Sequence, residues 1–135
     1  MTNSRQKGKR GEREWARYLA GLGFGTYGVD TRRGVQHAGG PDSPDVRCAA
    51  LPGIHFEVKV GSRAYIGLGR TLEAAMAQAA ADAHGRKPVV AWRNDGCREW
   101  NLSFVGAEGV LVTTTGAARI KHVLAALQCS EGASA

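Results

Sequence analysis

Two carboxylates and an amine in the first half of the chain have the types and spacing of a hydrolytic metal site. Asp45 precedes a short apolar run, and Glu57 and Lys59 follow about a dozen positions later, alternating with apolar residues. Carboxylate oxygens are ligands that Mg²⁺ prefers, and a neighbouring lysine can orient or deprotonate an attacking water. These residues predict hydrolysis assisted by a divalent cation, provided that the fold brings them together.

The sequence around this motif predicts a β-hairpin. Apolar runs at residues 46–51 and 54–60 flank Pro52-Gly53, a typical turn dipeptide. Alternation in the second run places His55, Glu57 and Lys59 on one face of the strand, and closing the hairpin would bring Asp45 near Glu57. An alternative is that these charges only form the solvated face of an ordinary amphipathic strand. Asp42 also competes with Asp45 for the motif position; Asp45 is favoured because a β-branched residue follows it.

The size and composition indicate one globular domain. A chain of 135 residues can bury a single core. No apolar run approaches the roughly 20 residues of a membrane span, which argues against a membrane protein. The N-terminus lacks the apolar segment of a signal peptide, which predicts a cytoplasmic protein; the size and motif would also fit a phage or mobile-element origin. Three widely spaced cysteines match neither a zinc pattern nor a disulfide framework.

The charge favours a polyanionic partner. The net charge is +6, and the first 17 residues contain six basic and two acidic side chains. Nucleic acid is the default partner of such a basic surface. We expect phosphate contacts from basic residues of the N-terminal helix and of the loops around the motif, namely Lys9, Arg10, Arg13, Arg32, Arg33 and Arg63. Two alternatives remain: DNA binding without catalysis, and binding of an acidic protein.

The order of predicted elements is α/β. Residues 1–8 are expected to form a flexible basic arm, 9–128 a single domain and 129–135 a disordered tail. Helices are predicted at 9–22, 71–84 and 117–128, and strands at 24–29, 88–92, 99–104 and 110–113 besides the hairpin. On the first helix Glu12 lies one turn before the core-facing Trp15. Glu14 is about 200° further round and should face solvent.

Two motifs carry a resemblance to a known family. Pro44-Asp45 followed by Glu57-x-Lys59 resembles the signature of the PD-(D/E)xK nucleases. Residues 7–14, KGKRGERE, followed by Trp15, resemble the first helix of archaeal-type Holliday junction resolvases and their phage relatives. The resemblance covers roughly residues 7–104. It implies a restriction-endonuclease-like core of order α-β-β-β-α-β, a mixed sheet flanked by helices, to which this chain adds a C-terminal strand and helix.

The resemblance also implies roles for individual residues. Asp45 and Glu57 would bind Mg²⁺ (or Mn²⁺) with the backbone carbonyl of Val58, and Lys59 would position the attacking water. Because the first helix of these resolvases carries an additional catalytic glutamate, Glu12 would serve as a further catalytic and metal-binding residue. His55, and a glutamine on the second helix, Gln78, would support the site from behind the ligands. The implied activity is endonucleolytic cleavage of branched DNA, Holliday junctions first, by a homodimer; a general or nicking DNA nuclease is the alternative.

Overall fold

The computed structural model describes residues 4–34, 45–61 and 69–133, with backbone only for residues 4–7, 69–71 and 130–133. The predicted α/β organisation is confirmed: within these described ranges, three helices flank a six-stranded mixed sheet. In chain order the elements are α1 (Ser4–Gly21), β1 (Thr31–Arg33), β2 (Val46–Cys48), β3 (Ile54–Gly61), α2 (Gly69–Asp82), β4 (Lys87–Asn94), β5 (Asn101–Val105), β6 (Leu111–Thr115) and α3 (Ala117–Ala133).

The sheet follows the chain order, β1-β2-β3-β4-β5-β6. Strands β3 and β4 are parallel, and the other neighbouring pairs are antiparallel. A parallel pair requires a crossover connection, and α2 belongs to that crossover. It packs against β3 and β4, the two strands that it joins.

Two separate apolar clusters hold the helices to the sheet. On one face α1 and α3 share a core with β3, in which Trp15, Phe56, Ile120 and Leu124 are completely buried. On the opposite face α2 contributes small and medium side chains that pack against β4; the cluster comprises Leu72, Ala75, Met76, Ala79, Val90 and Trp92. The additional C-terminal helix, α3, therefore covers the sheet. Its sequence had left open whether it would cover the sheet or form an oligomer contact.

Helix α1 approaches β3 very closely at one glycine. A Cβ atom added to Gly11 would lie 2.6 Å from Cγ2 of Val60, whereas one added to Gly8 would meet nothing within 4 Å. Real Cβ atoms essentially never approach another heavy atom as closely as 2.6 Å. The absent side chain at Gly11 therefore sets the distance between α1 and β3, and with it the position of the adjacent Glu12.

Three predicted boundaries were wrong. Helix α1 begins at Ser4, within the predicted flexible arm, because Arg, Gln and Lys favour a helix. Helix α3 continues to Ala133, through most of the predicted disordered tail. Residues 24–29 form turns, since Gly25 and Gly28 have φ values of 103° and 87°, and the first strand lies instead at Thr31–Arg33.

Within the described residues, no helix is long and apolar enough to cross a membrane.

Candidate active site

Asp45 and Glu57 meet where β2 begins beside β3. Val46 is in register with Phe56, and the N–H of Asp45 donates to the carbonyl of Phe56 at 3.0 Å. The carboxylate of Asp45 accepts the N–H of Val58 at 2.9 Å. Two hydrogen bonds to the residues on either side of Glu57 thus fix Asp45. The predicted hairpin forms, and it brings the two acids together as expected.

Burial and the neighbouring carboxylate make Glu57 costly to ionise. The side chain of Glu57 is 6% exposed, and burial, followed by the charge of Asp45, raises its pKa to about 7. Burial also raises the pKa of Asp45, although the hydrogen bond from Val58 and the charge of Lys59 oppose this change. A carboxylate that is buried beside a second carboxylate ionises reluctantly. The pair therefore favours either a shared proton or a cation.

Lys59 is the nearest cationic side chain to this pair among the described contacts. Its Nζ atom lies 3.5 Å from Oε1 of Glu57, and its side chain is 31% exposed. The amine is thus held at the border between the buried acids and solvent. From this position it can contact both a carboxylate and a water or anion that approaches from outside.

The alternative of a solvated polar face on β3 does not hold for His55 and Glu57. His55 is completely buried and Glu57 is 4% exposed as a residue, because α2 packs against β3 and β4 and covers this face. A strand next to a parallel crossover is covered on both faces, which alternation in its own sequence cannot reveal. Glu57 is consequently a buried acid rather than one charge of a wet surface.

The backbone of Val58 is oriented toward the same edge. Its N–H points to Asp45, and in an extended strand the C=O of a residue points to the same side as its N–H. The carbonyl of Val58 therefore faces the β2 edge of β3, where the resemblance placed a third oxygen ligand.

The donor set fits a hard divalent cation. Two carboxylates and one carbonyl supply only oxygen atoms, and Mg²⁺ commonly uses one or two carboxylates while keeping waters and substrate phosphates as its other ligands. The described part of the chain contains no group of three or more His, Cys, Asp or Glu side chains placed to hold a metal. A cation here would thus be held mainly by Asp45 and Glu57, with positions left for water and phosphate.

Glu12 lies beside this pair but is bound to an arginine. Nε of Arg33 donates to Oε2 of Glu12 at 2.7 Å, and the side chain of Glu12 is 15% exposed. Burial raises the pKa of Glu12, the bond from Arg33 lowers it, and the charge of Asp45 raises it. The effect of Asp45 shows that the two acids are electrostatically close. The structure therefore brings Glu12 to the edge of the site and engages Arg33, a predicted phosphate contact, in holding it.

The two supporting residues have different environments. His55 is buried between the sheet and α2, and neither ring nitrogen has a hydrogen-bond partner among the residues that the structure describes. Burial lowers its pKa, although the charge of Asp45 opposes this. Gln78 is on the exposed side of α2, so its position does not support the predicted role, since α2 turns its alanines rather than this amide toward the sheet.

The predicted phosphate contacts are mostly exposed. Lys9, Arg10, Arg13 and Arg32 are all exposed, and Arg10 forms an ion pair with Glu14. Arg63 lies outside the described residues, as do Asp42 and Pro44.

Sequence reasoning missed the role of Glu14. It was expected to face solvent, but it forms an ion pair with Arg93 of β4, whose guanidinium also lies 5.4 Å from the centre of the Trp100 ring. This contact connects α1 to the end of β4, and only the docking of the helix on the sheet reveals it.

Glu12, Asp45, Glu57 and Lys59 thus converge from α1, the start of β2 and the second half of β3. Such an arrangement can bind a divalent cation through the paired acids and present an amine to a reacting anion or water. Comparison of the chain with protein-family models, curated proteins and solved structures found no match.

Proposed function

We propose that this protein is a metal-dependent DNA endonuclease of the PD-(D/E)xK type. The observation that carries the proposal is the pair formed by the half-buried Asp45 and the buried Glu57, with Lys59 3.5 Å from Glu57. Perturbed acids that contact a specific charged partner at the edge of a fold are typical of functional sites. A purely structural role is disfavoured because burying two acids side by side costs stability that an amide or apolar pair would not cost.

A bound Mg²⁺ ion would offset the negative charge of the paired carboxylates and of the phosphate undergoing attack. Asp45, Glu57 and the carbonyl of Val58 would hold it. Asp45 is kept in place by its bond to the Val58 amide, so that little reorganisation is needed when the site is loaded. Burial by α2 excludes bulk water behind Glu57, which strengthens these interactions.

Lys59 would act on the water or on the phosphate oxygens. Its amine, held beside Glu57 at the solvent border, can orient the attacking water and stabilise negative charge that develops on the phosphate. Glu12 would position Arg33 near the scissile phosphate or contribute to a second cation, as the resolvase resemblance implies. Both roles depend on Glu12, which α1 delivers through the close contact at Gly11.

DNA is the proposed substrate because the chain is strongly basic and many of its basic side chains are exposed. The net charge of +6 and the exposed Lys9, Arg10, Arg13 and Arg32 supply the electrostatic attraction that phosphate binding requires. Within this class, the α1 motif favours structure-selective cleavage of branched DNA, with Holliday junctions as the first candidate. Symmetric cleavage of a junction needs two active sites, so we propose a homodimer.

The test is a cleavage assay on an end-labelled four-way junction and on a linear duplex of matched sequence, each with Mg²⁺ and with EDTA. Glu57→Ala should reduce cleavage about 100-fold or more, because it removes a metal ligand and a transition-state charge partner. Binding in EDTA should change little. Glu108→Gln, which changes an exposed glutamate between β5 and β6, is the control and should cut normally.

Each pattern of cleavage has a distinct meaning. Paired symmetric nicks on the junction alone support a resolvase, and equal cutting of both substrates supports a general or nicking nuclease. Binding of DNA with no cleavage in any divalent cation would refute the catalytic proposal and leave a DNA-binding protein.

A further inference from the structure

A second basic site lies outside the acidic pair, at the turn end of the β2–β3 hairpin. It is a cavity of about 270 Å³ whose lining includes three arginines from three parts of the fold, Arg32 of β1, Arg47 of β2 and Arg86 before β4. Typical small-molecule sites occupy roughly 300–1,000 Å³, so this cavity is slightly smaller than that range. Its size suits one phosphate with part of its sugar.

Two of these arginines are placed directly opposite each other. Arg32 and Arg47 are register partners in the antiparallel β1–β2 pair, and both are exposed. Like charges in opposed positions on a sheet destabilise it. A bound anion would offset this repulsion. Without an anion, the opposed arginines lower the stability of the folded protein.

The side chains that line the cavity offset this charge only in part, since they include three arginines and one acid. In the described part of the chain, Arg32, Arg47 and Arg86 form no ion pair with a carboxylate, unlike Arg10, Arg33 and Arg93. Asp30, the acid in the cavity lining, accepts the N–H of Thr26 at 2.8 Å, and its single negative charge balances only one of the three arginines.

The rest of the lining is suited to a sugar. Leu51, Pro52 and Ile54 contribute an apolar wall beside the three guanidinium groups. Leu51 and Ile54 are almost completely buried and belong to the main core, so the wall is rigid. A rigid apolar wall next to planar cationic donors matches the alternation of sugar and phosphate along a nucleic-acid backbone.

The cavity is close to the acidic pair along β2. Arg47 is two residues from Asp45 along the chain, a separation of about 7 Å in an extended strand. Arg47 and Arg32 lie on the sheet face opposite α1, because their neighbours Val46 and Cys48 are the ones buried against α1. This separation is comparable with that between adjacent phosphates of a DNA strand.

We infer that Arg32, Arg47 and Arg86 form a subsite for the phosphate adjacent to the scissile phosphate of the bound DNA strand. The inference rests on the proposed function for the identity of the ligand, and it adds Arg47 and Arg86 to the residues expected to contact DNA. Because the cavity lies on one side of the acidic pair, it defines the direction in which the strand crosses the site.

The experiment uses a series of DNA substrates in which one phosphate at a time is replaced by a neutral methylphosphonate. Binding is measured in EDTA by fluorescence anisotropy, and the cut position is mapped with Mg²⁺. For the wild-type protein, affinity should fall about tenfold when the neutral linkage occupies the subsite, as expected for loss of a charge-assisted contact. The sensitive linkage should be one of the two neighbours of the cut.

Arg47→Ala should bind unmodified DNA about tenfold more weakly and should lose its sensitivity at that one linkage, because the contact is already gone. The salt dependence of its affinity should also decrease by about one phosphate contact. Arg119→Ala, which removes an exposed arginine on α3, is the matched control and should keep the sensitivity of the wild-type protein. Circular dichroism confirms that each variant is folded.

The outcomes separate this inference from the proposed function. If the wild-type protein cuts DNA but Arg47→Ala behaves like Arg119→Ala, the subsite is refuted and the nuclease proposal stands. If DNA is bound but never cut, the nuclease proposal fails, and loss of the sensitive linkage in Arg47→Ala still supports a phosphate site. If the wild-type protein does not bind DNA, both are refuted.

Discussion

Removing the charge of Glu57 should stabilise the metal-free protein at alkaline pH. Burial and the charge of Asp45 raise the pKa of Glu57 from 4.5 to about 7 in the folded state. The unfolded chain releases this proton near the ordinary value. The stability contributed by the protonated form is therefore present below pH 4.5 and is lost as the pH rises through about 7.

The size of the effect follows from the pKa difference. One pKa unit corresponds to about 1.4 kcal/mol, so ionising Glu57 costs on the order of 3 kcal/mol of folding free energy at pH 8. Asp45 adds to the cost in the same direction, since its pKa is also raised. Glu57→Gln keeps the shape of the side chain and removes its part of the cost, although it also loses the attraction to Lys59, which reduces the gain.

The assay is urea unfolding at pH 5.5 and at pH 8, in EDTA and then with Mg²⁺. In EDTA the wild-type protein should lose stability relative to Glu57→Gln between the two pH values, and Glu57→Gln should be the more stable protein at pH 8; the rise in stability expected from the lowered pKa of His55 is common to both proteins. Glu108→Gln should follow the wild-type curve. Added Mg²⁺ should stabilise the wild-type protein most at pH 8, because binding to the folded state alone raises its stability, and Glu57→Gln should respond weakly.

The reasoning would be refuted by the opposite sign. If Glu57→Gln were less stable than the wild-type protein at pH 8 in EDTA, the carboxylate would be stabilised by its surroundings and would not need a cation. A wild-type stability that does not change with Mg²⁺ at either pH would remove the physical basis of the proposed metal site.

Three further predictions test the geometry of the site. Gly8→Ala should raise the melting temperature by a few degrees, because alanine favours a helix more than glycine does. Gly11→Ala should lower it, because the added methyl group overpacks the contact with Val60 at a cost of about 1–3 kcal/mol. Equal shifts of the two melting temperatures in calorimetry would refute the close contact. Lys59→Met should reduce cleavage about 100-fold or more with little loss of DNA affinity in EDTA; an active Lys59→Met would remove its role. Arg93→Ala should cost about 2 kcal/mol in urea unfolding through loss of its ion pair to α1, and Arg98→Ala, an exposed neighbour, close to none.

The local pattern of the chain was sufficient for most elements. The alternation at Ile54–Gly61 and the turn at Pro52-Gly53 predicted the hairpin, and the apolar periodicity of the helices predicted their buried stripes. Period and turn chemistry are local properties, and these predictions needed no other part of the chain. The strand predicted at 24–29 failed because the glycines there adopt positive φ, which favours turns.

The burial and charge environment of individual side chains is determined by contacts between segments that are distant in the sequence. The alternation within its own strand is compatible with Glu57 as a surface charge. Its burial, which raises its pKa, becomes visible only when α2 packs against the sheet. The helical periodicity of α1 predicts that Glu14 faces solvent, but the docking of α1 on the sheet brings Glu14 to Arg93. The opposition of Arg32 and Arg47 depends on a register between two short strands that the intervening residues do not specify.

The sequence by itself determined the elements, the basic character and the identity of the candidate acids, because these depend on residue type and short-range period. Only the tertiary structure decided which of those residues share a site, which are buried and which lack a partner of opposite charge. Burial and electrostatic coupling are properties of segments brought together from α1, the hairpin and α2, and no single segment contains that information.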